Sequence, residues 1–244
     1  MRTHPLILIV EDNPASLEIM QVRLEASGYR VITATDGEAG LHLAESSLPD
    51  LILLDLMMPR MDGLEVCRRL KENERLPFMP IIMVTAKTDT KDVIAGLEAG
   101  GDEYLTKPVD HGSLVARVKS MLRIKELHDT VLDQSELMEN QLKTASKIQT
   151  LFWPELPKPE GGIHTWAVSQ PAAYVGGDFY DVITFADKSV LAYVADVSGK
   201  GVPAALIMAA VSTKIRAEAS LHQNLNLILQ AVNEAMYELA STCL

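Results

Sequence analysis

Leu51-Ile52-Leu53-Leu54-Asp55-Leu56-Met57-Met58-Pro59 decides the architecture of the first half of this chain. Four consecutive large apolar residues offer no side to water, so the segment reads as a strand covered on both faces and ending on a carboxylate. Comparable runs occur at 6–10, 30–34, 81–84 and, more weakly, 103–105. Between them lie segments of helical period. One opens at Pro14, a residue suited to the first helical position, and stops before Gly28; others cover 37–47, 64–72 and 89–99, the last followed by Gly100. Five βα repeats at this spacing predict an α/β domain over residues 1–122, with an open, doubly wound parallel sheet. Ligands of such sheets bind beyond the carboxyl ends of the strands, at the switch point.

Five chemically distinctive residues fall at those ends: Glu11 and Asp12 after the first strand, Asp55 on the third, Thr85 on the fourth and Lys107 after the fifth. Alone, an Asp at a strand end is usually a cap and a Lys is usually solvated. As a set they read otherwise. Three converging carboxylates repel unless a cation shares the site, and hard oxygen ligands with room for water suit Mg²⁺. Phosphoryl transfer needs a nucleophile, charge neutralisation and positioning. Asp55 can attack, Lys107 and a metal ion can neutralise, and the Thr85 hydroxyl can donate.

The runs Val10-Glu11-Asp12-Asn13, Leu54-Asp55-Leu56-Met57-Met58-Pro59, Met61-Asp62-Gly63, Val84-Thr85-Ala86 and Tyr104-Leu105-Thr106-Lys107-Pro108 resemble the signature of two-component response-regulator receivers. The resemblance implies a flavodoxin-like strand order and Asp55 as the phosphoacceptor. It implies Mg²⁺ on Asp12, Asp55 and the Met57 carbonyl, with Glu11 in the same acidic pocket. Thr85 and Tyr104 would form the switch pair, Lys107 would contact the phosphoryl group, and the bond before Pro108 would be cis. The implied partner is a sensor histidine kinase or a phosphotransfer protein.

The fifth helix, opening near Gly112, does not stop where the domain should. Ile124, Leu127, Val131, Met138, Ala145, Ile148 and Phe152 recur in alternating threes and fours, with Gln134 and Gln141 in the two remaining slots. The pattern predicts a linker helix over 123–158 that forms a parallel coiled coil between two subunits; the plainer reading is a single helix docked on its own domains. Pro154, Pro157, Pro159, Gly161 and Gly162 then break it. Beyond them, 163–169, 179–185 and 190–197 read as strands, the last two joined by a tight turn at Asp187-Lys188. Helical segments follow at 203–219 and 225–240. Strands followed by helices predict an α+β arrangement, and 159–244 reads as the N-terminal part of a larger domain.

Here Gly176-Gly177-Asp178 precedes one strand and Asp196-Val197-Ser198-Gly199-Lys200-Gly201 follows its partner. A hairpin would set Asp178 beside Asp196, and two facing carboxylates could bridge divalent metals that activate a water; Asp- and Gly-rich hairpin ends are also ordinary turns. Gly199-Lys200-Gly201 lacks the other residues of a phosphate-cradling loop. Ala145 through Gln149, Val175 through Asp181 and Asp196 through Leu206 are similar to the sporulation stage II E-like branch of PPM-type serine/threonine phosphatases. The resemblance implies Mn²⁺ or Mg²⁺ on Asp178, Asp196 and the Val197 carbonyl. The implied substrate is a phosphoserine protein such as an anti-sigma-factor antagonist. The family uses two further acidic ligands, and no Asp follows Asp196. The expectation is therefore a phosphorylation-controlled phosphatase whose metal centre is unfinished in these 244 residues, or a non-catalytic switch that binds a partner.

A formal net charge of −11 argues against a nucleic-acid surface. Cys67 and Cys243 have no metal-ligand spacing, which fits a reducing, cytoplasmic setting. The apolar run at 6–10 meets Glu11 and Asp12 at once, unlike an export signal, and no stretch reaches the roughly 18–20 apolar residues of a membrane span.

Overall fold

The structure, a computed structural model, describes residues 4–86, 90–156 and 164–243. By compactness it divides into two units, Met1–Gln134 and Ser135–Leu244.

The first unit runs β1 (Leu6–Val10), α1 (Pro14–Ala26), β2 (Arg30–Ala34), α2 (Gly37–Ser47), β3 (Leu51–Asp55), α3 (Gly63–Glu72), β4 (Ile81–Thr85), α4 (Thr90–Glu98), β5 (Glu103–Thr106), and then into the long helix α5 (His111–Gln149). The strands form one parallel sheet in the order β2-β1-β3-β4-β5. Every residue of β1, β3 and β4 is buried, because successive side chains serve opposite layers. Leu8, Val10, Ile52, Leu54 and Met83 pack with Ala44, Val66, Cys67 and Leu70 on the α2–α3 face. Ile7, Ile9, Leu51, Leu53, Ile82 and Val84 pack with Met20, Leu24, Leu114 and Val118 on the α1–α5 face. Helix starts are set by side-chain caps: Asn13 Oδ1 accepts from Ala15 and Ser16, Asp36 Oδ1 from Ala39, and Asp62 Oδ1 from Glu65. The doubly wound sheet expected from the apolar runs is present, and all five strands carry the expected start and end to within one residue. The expected start of α4 at Asp89 lies outside the described residues.

In the second unit α5 ends in a 3₁₀ turn, Thr150–Phe152, so Phe152 no longer continues the helix. Two antiparallel strands follow, β6 (Phe179–Thr184) and β7 (Val190–Ala195), and then α6 (Val202–Leu221) and α7 (Leu225–Cys243). Ile215, Ala219, Ile228 and Val232 form its small core against Ile183, Leu191 and Tyr193. The strand expected at 163–169 is not formed. Residues 164–169 have no regular structure, and Trp166 and Val168 are exposed. An alternating pattern makes a strand only where a neighbouring backbone completes the ladder. Here the segment is instead tied by side chains: the Tyr180 hydroxyl donates to the Ala167 carbonyl and the Ser169 hydroxyl to the Asp178 carbonyl. Among the described residues no helix is long and apolar enough to cross a membrane.

Candidate functional site

The sheet order reverses between β1 and β3, and the carboxyl ends of these neighbours deliver Glu11, Asp12 and Asp55 to one place. One carboxylate oxygen from each lies within 4.8 Å of the other two. Glu11 is fully buried, Asp55 is 4% exposed, and Asp12 faces solvent. Lys107 reaches in from the end of β5. Its Nζ lies 2.8 Å from Glu11 Oε1, 2.7 Å from Glu11 Oε2 and 3.0 Å from Asp55 Oδ2. The other Asp55 oxygen accepts the Met57 N–H at 3.3 Å.

One ammonium against three carboxylates leaves a net negative pocket. Burial raises the Glu11 carboxyl above its usual range; Lys107 opposes this and the Asp55 charge adds to it. Burial pulls the Lys107 ammonium down, but Glu11 and Asp55 together outweigh it and leave the group raised. The donor set therefore fits a small divalent cation: hard oxygens only, surplus negative charge, and an open side at Asp12 where water can complete the shell.

Thr85 is 2% exposed at the end of β4, and the Lys107 N–H bonds its carbonyl at 2.7 Å, so the hydroxyl-bearing residue and the lysine are fixed to one another through backbone. Tyr104 is partly buried on β5, with the Arg117 guanidinium 5.5 Å above its ring. The Lys107–Pro108 bond is cis.

Two supports were not assigned roles from sequence. A Cβ on Gly63 would sit 2.2 Å from the Asp55 carbonyl oxygen, so only glycine lets α3 begin this close to the acidic residue. Arg60, held at φ +70°, pairs with Asp36 at 3.2 Å and ties the β3–α3 loop to the cap of α2. The Asp62-Gly63 step was visible as a motif, and its meaning required the backbone distance; the Arg60–Asp36 pair left no signal in sequence.

In the second unit the antiparallel register that pairs Phe179 with Ala195 sets Asp178 opposite Asp196. Asp178, by hydrogen bonding and then by charge, pushes the Asp196 carboxyl above its usual range. Both line a cleft of about 480 Å³ together with Ser169, Gln170 and Tyr180. A Cβ on Gly177 would meet the Val197 carbonyl oxygen at 2.7 Å, so the glycine allows that carbonyl to lie against the backbone next to Asp178, just before β6. Among the described residues no third acidic side chain joins this pair. Asp181, 1% exposed, forms a separate polar clasp. It takes Arg216 Nε at 2.7 Å and Nη2 at 2.9 Å, and the Tyr193 hydroxyl at 3.4 Å. Burial, with Asp181 adding to it, pushes that hydroxyl up to about 12.

A parallel five-stranded sheet with an acidic pocket and a lysine at its switch point defines a receiver. The response regulator receiver domain family matches residues 7–119. Stage II sporulation protein E (SpoIIE) matches residues 186–243, so the chain joins a receiver to a SpoIIE-like segment. Over 121 residues it is 49% identical to the alkaline phosphatase synthesis transcriptional regulatory protein PhoP of Bacillus subtilis, covering 50% of each chain. Over 123 residues it is 45% identical to response regulator PleD of Caulobacter vibrioides, covering 50% of this chain and 27% of PleD. The chain thus spans about half or less of the length of these two relatives. A solved CheY-like receiver domain protein from Methanospirillum hungatei is 32% identical, with a TM-score of 0.49, covering 52% of this chain and 99% of that one.

Proposed function

We propose that this protein is a cytoplasmic response regulator in which Asp55 accepts a phosphoryl group from a histidine kinase or phosphotransfer protein, and that the SpoIIE-like segment carries its output. The observation that carries the reading is the meeting of Glu11, Asp12, Asp55 and Lys107 at one point of the sheet. The donor's bond to phosphorus breaks as an Asp55 oxygen forms the new P–O bond. Glu11, Asp12, Asp55 and the Met57 carbonyl would hold Mg²⁺, which would supply positive charge to the phosphoryl oxygens. Lys107, already 3.0 Å from Asp55, neutralises a further oxygen, and the Thr85 hydroxyl donates to another. Thr85 and Tyr104 then report the modification by shifting a pre-existing equilibrium.

The output reading is a metal-dependent serine/threonine phosphatase acting on a phosphoserine protein such as an anti-sigma-factor antagonist. The Asp178–Asp196 pair and the Val197 carbonyl would hold Mn²⁺ or Mg²⁺. The alternative is a non-catalytic switch whose SpoIIE-like segment binds a partner; the restriction of the described centre to two carboxylates favours it for these residues. A homodimer through the 120–152 helix is part of the same proposal. Ile124, Leu127, Val131, Met138 and Ile148 are all exposed, and every side chain from 131 to 141 faces solvent, an arrangement a lone helix does not sustain cheaply.

Three experiments test these readings. Labelling with acetyl phosphate, borohydride reduction and peptide mapping should place the modification at residue 55; a modified residue elsewhere removes the receiver proposal. Turnover of a phosphoserine peptide with Mn²⁺ separates enzyme from switch. For the dimer, light scattering should show Val131→Glu with Met138→Glu as a monomer and the unaltered chain as a dimer; a monomer in both cases removes the seam.

A further inference from the structure

The receiver's hold on α5 should end with its core. Leu114, Val118, Met121 and Leu122 are buried, and from Val131 to Gln141 the helix is bare. Between these stretches lie two turns that the sheet does not cover, yet Lys125 there is only 8% exposed. A buried ammonium is tolerated only when it is paired. Lys125 Nζ donates to the Phe78 carbonyl at 2.8 Å and pairs with Asp129 at 3.1 Å. One turn on, the His128 ring lies 4.5 Å from the Phe78 ring, centroid to centroid, tilted by 35°. Across that same ring, Lys71 Nζ stands 5.0 Å from the centroid. Lys71 also pairs with Asp102 at 2.7 Å, and the same Asp102 oxygen accepts the Ile81 N–H at 2.8 Å. Phe78 thus joins three elements: its carbonyl and ring take the exit helix, its ring meets the end of α3, and its loop runs directly into β4.

We infer that the loop over 73–80 clamps the exit helix through Phe78, so that the receiver and α5 move as one body as far as Asp129 and the free lever begins at Thr130. The helix period alone places a lysine at 125 on a surface; the contacts make it a fastening. The clamp sits at one end of β4, and Thr85 sits at the other. A displacement of β4 at the acidic site therefore has a covalent route to the point where the helix leaves. The inference concerns the junction itself and does not depend on Asp55 being phosphorylated.

Amide hydrogen exchange of the full chain tests it, in a background of Val131→Glu and Met138→Glu so that association of helices supplies no protection. With the clamp intact, 123–129 should exchange within about threefold of 117–121. Phe78→Ala and Lys125→Met, which keeps the stem and removes the ammonium, should each speed exchange of 123–129 about tenfold or more and leave 51–55 unchanged. Fast exchange from 123 onward with the clamp intact overturns the inference, as does an unchanged profile in both variants. Should Phe78→Ala also open 51–55, Lys125→Met and the gentler Phe78→Leu decide on the same criterion.

Discussion

Gly63→Ala puts a single methyl group where the site has no room for it. The added carbon would stand 2.2 Å from the Asp55 carbonyl oxygen and 3.0 Å from both the Asp55 carbonyl carbon and the Leu56 Cα. All three are backbone atoms of the segment leaving β3, so no side chain can rotate away; α3 or the strand end must move. Overpacking of this kind costs about 1–3 kcal/mol, and a backbone obstacle belongs at the upper end. Replacing glycine with alanine in a helix returns at most about 0.5–1 kcal/mol. The net loss is about 2 kcal/mol, which at a urea slope of about 2 kcal/mol per molar lowers the unfolding midpoint by about 1 M. Labelling of Asp55 should fall with it, because the displaced atoms include that residue's own carbonyl. Gly28→Ala is the control: φ there is +87° but nothing lies within 4 Å, so it carries only the left-handed backbone cost of about 1 kcal/mol and leaves labelling intact. A Gly63→Ala chain with the midpoint and labelling of the unaltered protein would refute the close-approach argument.

Lys107→Met leaves the buried Glu11 and Asp55 without their ammonium and should destabilise the first unit by about 3 kcal/mol, with Mg²⁺ restoring part of the loss in urea unfolding. The Glu11 carboxyl is already raised, so the stability tied to its protonated form is complete below its unfolded value of 4.5 and is lost as pH rises through the higher folded value. Without its ammonium Glu11 is raised further, so the gap between Lys107→Met and the unaltered chain should narrow as pH falls toward 4.5, and below 4.5 Glu11 should change it no more. Arg216→Ala strands the carboxylate of Asp181 and should lower the transition of the second unit by about 2–3 kcal/mol, read by urea unfolding, without moving that of the first. Arg68→Ala removes only an exposed partner of Glu65 and should change stability by less than about 0.5 kcal/mol.

The receiver was legible because its central strands are buried on both faces, and a run such as Ile52-Leu53-Leu54 has no other economical reading. Its site was legible because four strand ends placed five residues, each with a chemical use. What stayed hidden depends on partners distant in sequence. Phe78 sits in a loop and Lys125 on a helix, and no periodicity announces that a lysine will be buried against a carbonyl 47 residues earlier. Asp181 stands in a motif plainly visible in the sequence, yet its burial follows from Arg216, which arrives 35 residues later on α6. The segment 164–169 was misread for a related reason: alternation describes where side chains point, and a strand also needs a neighbour for its backbone.

Intact-mass measurement after incubation with acetyl phosphate and Mg²⁺ tests the central claim most directly. The unaltered chain should gain one phosphoryl group that is lost at alkaline pH, as an acyl phosphate would be, and Asp55→Asn should gain none. Equal phosphorylation of Asp55→Asn would contradict the account.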